Sequence, residues 1–151
     1  VTVQATVTVD SQIWNVALAT SPTDIQTGLS GLASIPADTG MLFDLGAGQY
    51  DLTINMQEML FNLDIAFVTE EGYILEVKHD VVAGVDAEFA IIGGPGARYF
   101  LEVNAGELVA VESGDIMTID VESAFDVGMI ESLVMFMVIA GMMKMAVRSM
   151  R

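Results

Sequence analysis

Leu63-Asp64-Ile65-Ala66-Phe67-Val68-Thr69-Glu70-Glu71-Gly72-Tyr73-Ile74-Leu75-Glu76-Val77-Lys78 is the stretch whose reading decides the fold. Apolar and β-branched residues fill both ends, and Glu70-Glu71-Gly72 supplies the polar residues and glycine of a hairpin turn. The spacing predicts two strands, 63–69 and 73–78. Upstream, residues 1–9 alternate Val and Ala with Thr and Gln, the period-two pattern of a half-buried strand. Residues 12–19 repeat it, with Trp14, Val16 and Leu18 on one parity. Ser21-Pro22-Thr23-Asp24 reads as a helix start, with Ser as N-cap, Pro at the first helical position and an acid in the first turn. That helix should end near Gly28 or Gly31. A turn over 35–40 leads to a strand at 41–44, and further strands are expected at 50–56, 99–103 and 116–121. Gly93-Gly94-Pro95-Gly96 marks an irregular loop. Short strands with frequent turn signals predict a mainly β body, a compact barrel or sandwich with one or two short helices.

The whole chain has 151 residues, the size of one ordinary domain. Acids outnumber bases 21 to 5, for a net charge of −16, and the acidic body would repel nucleic-acid phosphates. With no Cys there are no disulfides, thiolate metal sites or Cys nucleophiles, and a single His rules out a multi-His metal site within one chain.

Charge is unevenly spread. The first 126 residues carry 20 acids and two bases, Lys78 and Arg98. The last 25 carry Glu131 against Lys144, Arg148 and Arg151, together with seven of the 11 Met residues. Residues 127–147 are largely apolar, and as a helix those 21 residues would extend ~31 Å, against a hydrocarbon core of ~30 Å. Eight Val, Ile, Leu and Phe residues there contribute on the order of −3 to −4 kcal/mol to insertion. Glu131 and Lys144 lie near the two ends, where the cost of a charge is reduced. The alternative is a helix buried in a soluble protein or oligomer. A basic end places the C-terminus inside and the body outside. The numbering opens at Val1 rather than Met, which a removed leader or arbitrary numbering would explain.

The order of pieces in the body resembles the small β-rich family called domain of unknown function 192, over about residues 15–119. The resemblance rests on Gly28-Leu29, Pro36-Ala37-Asp38-Thr39-Gly40-Met41-Leu42-Phe43, Leu63-Asp64-Ile65-Ala66-Phe67, Ala97-Arg98-Tyr99-Phe100-Leu101-Glu102-Val103, Ala105-Gly106 and Gly114-Asp115. It implies a compact barrel-like fold and brings no established reaction. Where the family usually has Gly-Leu-Met followed closely by Arg, this chain has Gly28-Leu29-Ser30-Gly31-Leu32. Where the family usually has Trp-Met-Lys-Asn, this chain has Asn55-Met56-Gln57-Glu58. A cation and an amide suited to an anionic or sugar-like ligand are replaced, which points to a scaffold reused for structure.

Other candidates read more blandly. His79 and Asp80 are neighbours on a strand, so they face opposite sides and make no catalytic pair. Asp80, Asp86 and Glu88 lack the regular spacing of a calcium loop. The glycine loop at 93–96 lacks the Lys-Ser/Thr of a phosphate loop. Trp14 and the Phe residues read as core.

The sequence thus predicts an acidic β domain over 1–122 and a long hydrophobic helix with a basic end over 123–151. The expected function is non-catalytic: a subunit of a cell envelope, virion or filament, its β domain displayed outside and anchored by a single-pass, self-associating helix. No cofactor or metal is expected. The helix contacts assigned to the bilayer and to further copies are Gly128, Glu131, Ser132, Leu133, Phe136, Ile139 and Gly141, where Gly128 and Ser132 permit close helix approach. Lys144, Arg148 and Arg151 share one helical face and would meet lipid phosphates or, in a virion-like particle, packaged nucleic acid. Two alternatives stay open. One is a membrane-anchored ectodomain binding a carbohydrate-like ligand. The other is a hydrolase using carboxylates such as Glu58 and Asp64. Full-length protein purified in mild detergent is expected to scatter light as an oligomer, and a strictly monomeric particle contradicts the assembly reading.

Overall fold

A computed structural model describes residues 3–85, 88–90 (backbone only) and 96–122. The elements in chain order are β1 (Val3–Val9), β2 (Gln12–Ala19), α1 (Pro22–Thr27), β3 (Thr39–Asp44), β4 (Thr53–Asn55), β5 (Leu63–Val68), β6 (Ile74–Val81), β7 (Glu88–Ala90), β8 (Tyr99–Asn104) and β9 (Met117–Val121). Seven strands form one sheet in the order β6-β5-β8-β3-β2-β1-β9, and β4 pairs with β7 apart from it. Neighbours in the large sheet are antiparallel except β2 and β3, which run parallel. A parallel pair needs a crossover connection, and the segment carrying α1 provides it.

The two edges of the sheet meet at one end. The Ile74 N–H donates to the Asp115 carbonyl at 2.9 Å, and the Ile74 carbonyl accepts from the Gly114 N–H at 2.8 Å. The Met117 N–H donates to the Gly72 carbonyl at 2.8 Å. These bonds close β6 toward β9, so the sheet is a partly closed barrel. Gly72 has φ +99°, and a Cβ there would lie 2.9 Å from the Met117 carbonyl oxygen. The hairpin turn read in the sequence therefore also seals the barrel.

Alternation along the strands divides the apolar residues into two cores. The barrel interior holds Val7, Trp14, Val16, Leu42, Ala66, Val68, Leu101 and Val103, with Leu108 and Met117. The opposite face of β3, β5 and β8 carries Phe43, Leu63, Ile65, Phe67 and Phe100, covered by Leu29, Ile54, Met56 and Met59. All six β5 residues are consequently buried.

Mainly β architecture with one short helix is as the sequence predicts. α1 begins as read, with the Ser21 Oγ accepting from the Asp24 N–H at 3.1 Å and Gly28 as C-cap. Trp14 is core, and its Nε1–H donates to the Glu107 carboxylate at 2.9 Å. Within the described residues, three strands differ from the expected bounds by two or more residues at an end. β3 begins at Thr39, two residues early, because Asn15 already pairs with it. The strand expected over 50–56 shrinks to Thr53–Asn55, since Tyr50 bridges Ala97 while 53–55 pair with β7. β6 runs on to Val81, because Leu63 pairs with Val81 and Ile65 with Lys78, leaving His79 and Asp80 bulged opposite Asp64. Asp80 takes φ +50° there.

No helix among the described residues is long and apolar enough to cross a membrane. The expected helix over 123–151, with every contact assigned to it from Gly128 to Arg151, lies outside the described residues, as do Asp86 and most of the 93–96 loop. Gly72→Ala is expected to cost about 1–3 kcal/mol through left-handed strain and the Met117 contact, measured by urea unfolding. A wild-type midpoint would contradict the sealing role of this turn.

Candidate functional site

Outside the barrel, α1 and the 52–59 segment stand as two walls over the outer face of β3 and β8. Gly28 ends the helix at φ +51°, and a Cβ there would come 3.1 Å from the Phe43 ring. Glycine thus lets the chain turn inward over an aromatic ring, and Leu29 buries beside it. On the other wall, the Asn55 Oδ1 accepts from the Gln57 N–H at 2.7 Å, and the Met59 N–H donates to the Met56 carbonyl at 3.0 Å. This tight turn sinks Met56 and Met59 into the outer core. The Gly31 N–H on one wall donates to the Glu58 carbonyl on the other at 3.4 Å.

Between the walls lies a cavity of about 320 Å³, bordered by Leu29, Phe43, Leu52, Ile54, Phe100 and Glu102. Thr27, Ser30 and Asn55 border both it and an outer compartment of about 550 Å³, whose rim includes Gln57 and Glu58. The floor is set by register. Phe43, Phe100 and Phe67 are cross-strand partners on β3, β8 and β5. The rings of Phe43 and Phe100 stack at 4.1 Å between centroids and 5° between planes. The next row on this face reads Met41, Glu102, Ile65. A carboxylate is therefore held between two apolar side chains, two residues along from Phe100.

Glu102 is 6% exposed, and its carboxylate has no hydrogen bond or ion pair among the described residues. Burial pushes its pKa up to about 8. Asp64, equally buried, is the opposite case. Burial would raise its pKa, but backbone N–H groups of Asp80, Leu108 and Gly106, and His79 beside it, bring it below the ordinary value. The Asp80 N–H donates at 2.8 Å and the Leu108 N–H at 2.9 Å. His79 Nδ1 stands 3.6 Å from the Asp64 Oδ2, with its side chain half exposed. The pairing of His79 is thus across strands to Asp64, which the bulge brings opposite it, while Asp80 accepts from the Asn62 amide at 2.9 Å.

The named carboxylate pair is not brought together. Asp64 shares the parity of Ala66 in the barrel interior, and Glu58 borders the outer cleft. No cluster of three or more His, Cys, Asp or Glu suited to a metal occurs among the described residues. Arg98 is committed elsewhere. Its Nε and Nη2 donate to the Asp44 carboxylate at 2.8 and 3.1 Å, and its Nη1 donates to Glu70 at 3.3 Å. The Asp44 bonds raise the Arg98 pKa; at Asp44, desolvation is outweighed by Arg98 and the Gly46 N–H, so its pKa falls. The site residue that sequence reading passed over is Glu102. Its signal was present as a lone acid inside Tyr-Phe-Leu-Glu-Val, a run apolar on both parities.

Residues 4–119 match the DUF192 family, described as "Uncharacterized ACR", and the chain belongs to it. The match takes in β1, ahead of the resemblance seen from residue 15. A crystal structure from Sinorhizobium meliloti 1021, described as a candidate transcription regulator, is 26% identical with a TM-score of 0.68, covering 78% of this chain and 93% of that one. A protein of unknown function from Novosphingobium aromaticivorans DSM 12444 is 22% identical with a TM-score of 0.69, covering 78% and 84%, a likeness of fold. No curated protein matches the chain.

Because the folded state holds the Glu102 proton up to about pH 8 and the unfolded chain releases it near 4.5, folding retains a proton in that window. Stability supplied by this group is complete below pH 4.5 and is lost as pH rises through 8, on the order of 1.4 kcal/mol per pH unit. Glu102→Gln should therefore gain thermal stability relative to wild type as pH rises from 5 to 8, followed by circular dichroism. Parallel pH profiles for the two proteins would contradict it.

Proposed function

We propose that this member of the DUF192 family is a small-molecule-binding domain whose ligand enters between α1 and the 52–59 segment. One observation carries the reading: a carboxylate more than nine-tenths buried, without a partner among the described residues, faces a cavity of about 320 Å³. An unpaired acid in apolar surroundings costs stability. A protein that keeps one beside a cavity of ligand size has a use for it there. Stacked phenyl rings on the floor and hydroxyl-bearing Thr27, Ser30 and Thr53 on the walls supply the mixed lining that ligand sites favour. The same lining supports the ligand-binding alternative over a carboxylate hydrolase, since Glu58 and Asp64 lie apart.

The assembly reading applies to the segment after residue 122. The apolar run at 127–147 and the basic end at Lys144, Arg148 and Arg151 favour a self-associating membrane anchor, with the β domain outside and the C-terminus inside. The two readings are compatible: the domain binds and the tail holds it in an envelope, virion or filament.

A fragment screen on ¹⁵N-labelled full-length protein is expected to shift the amides of Gly28, Leu29, Asn55 and Phe100. Ser30→Trp, which fills the passage between the two compartments, should weaken those hits at least tenfold while leaving the remaining spectrum unchanged. Hits that avoid the cleft, or that ignore this substitution, contradict the proposal.

A further inference from the structure

The charges around this cleft are one-sided. Of the described residues bordering its two compartments, Glu102 at the floor and Glu58 at the rim are the ionisable ones, and none is Lys, Arg or His. The described basic side chains are engaged elsewhere: Lys78 with Glu76, and Arg98 with Asp44 and Glu70. Among the described residues, an anionic ligand would therefore meet two carboxylates and no counter-charge. A bare divalent cation is equally ill served, because it needs several hard oxygen ligands and Glu102 stands between Met41 and Ile65.

We infer that Glu102 anchors a primary organic ammonium, whose apolar body lies against the stacked rings of Phe43 and Phe100. The inference rests on the ligand-binding reading of the same cleft and adds the chemical class of its occupant. An ammonium supplies the carboxylate with both a hydrogen-bond donor and a neutralising charge, the two things this group lacks among the described residues. Remaining N–H donors meet a wall carrying the hydroxyls of Thr27, Ser30 and Thr53. Phenyl faces tolerate a cation nearby and accept an apolar or aromatic body. The acid at the rim adds attraction along the route of entry.

The test titrates ¹⁵N-labelled full-length protein at pH 8 with three probes of similar size: benzylammonium, benzyl alcohol and benzoate. Benzylammonium is expected to shift the Gly28, Leu29, Phe100 and Glu102 amides and to bind at least tenfold tighter than benzyl alcohol, with benzoate weakest. Glu102→Gln, whose fold is checked by its own spectrum, should lose at least tenfold for benzylammonium and change little for benzyl alcohol. If benzyl alcohol binds in the cleft as tightly as benzylammonium, or if Glu102→Gln keeps the ammonium affinity, the ammonium assignment is overturned and the ligand-binding reading stands. If no probe shifts these amides, both fall.

Discussion

Burial of the central strands on both faces is the constraint from which the rest of the structure follows. Antiparallel sheets commonly leave one face to water. Here β3, β5 and β8 carry Leu42, Ala66 and Leu101 into the barrel and Phe43, Phe67 and Phe100 out of it. The outward set is too apolar to leave wet, so the chain must cover it. α1 with Leu29 covers one side and Met56 with Met59 the other, and the Gly31 N–H donates to the Glu58 carbonyl between them. Two separate covers over one aromatic floor leave a gap between them, and that gap is the cleft.

Two buried carboxylates show how the fold distinguishes structural from available charge. Asp64 ties β5 to the bulged end of β6 and to the turn before Leu108, and its oxygens are taken by backbone N–H groups. Its lowered pKa records a group stabilised as an anion. Glu102 lies one strand over and faces the other way, with neither backbone donors nor a cation beside it among the described residues. Its raised pKa records a group that the fold leaves unsatisfied. Arg98 could have served such an acid but is held by Asp44 and Glu70, with its guanidinium 4.9 Å from the centre of the Tyr99 ring.

Legibility in the sequence tracked how local the cause of each feature was. The hairpin around Glu70-Glu71-Gly72 and the start of α1 at Ser21-Pro22 were readable because turn and cap chemistry lie within a few adjacent residues. β7 was not, since three residues leave no periodicity to detect. The pairing of His79 with Asp64 was hidden: strand geometry excluded the adjacent Asp80 as a partner, and only the bulge in β6 brings Asp64 opposite. Glu102 could be quoted but not assigned: whether an acid in an apolar strand meets water, a partner or a cavity depends on what covers the sheet. The apolar segment after residue 126 was legible as composition and charge alone, and its contacts lie outside the described residues.

The account turns on the state of one carboxyl group, which a carbon-13 titration of the Glu102 side chain reads directly. It predicts a midpoint near 8, far above the ordinary glutamate value of 4.5. A midpoint at or below 4.5 would mean that Glu102 is solvated or already paired, and would contradict a vacant, desolvated acid at the floor of the cleft.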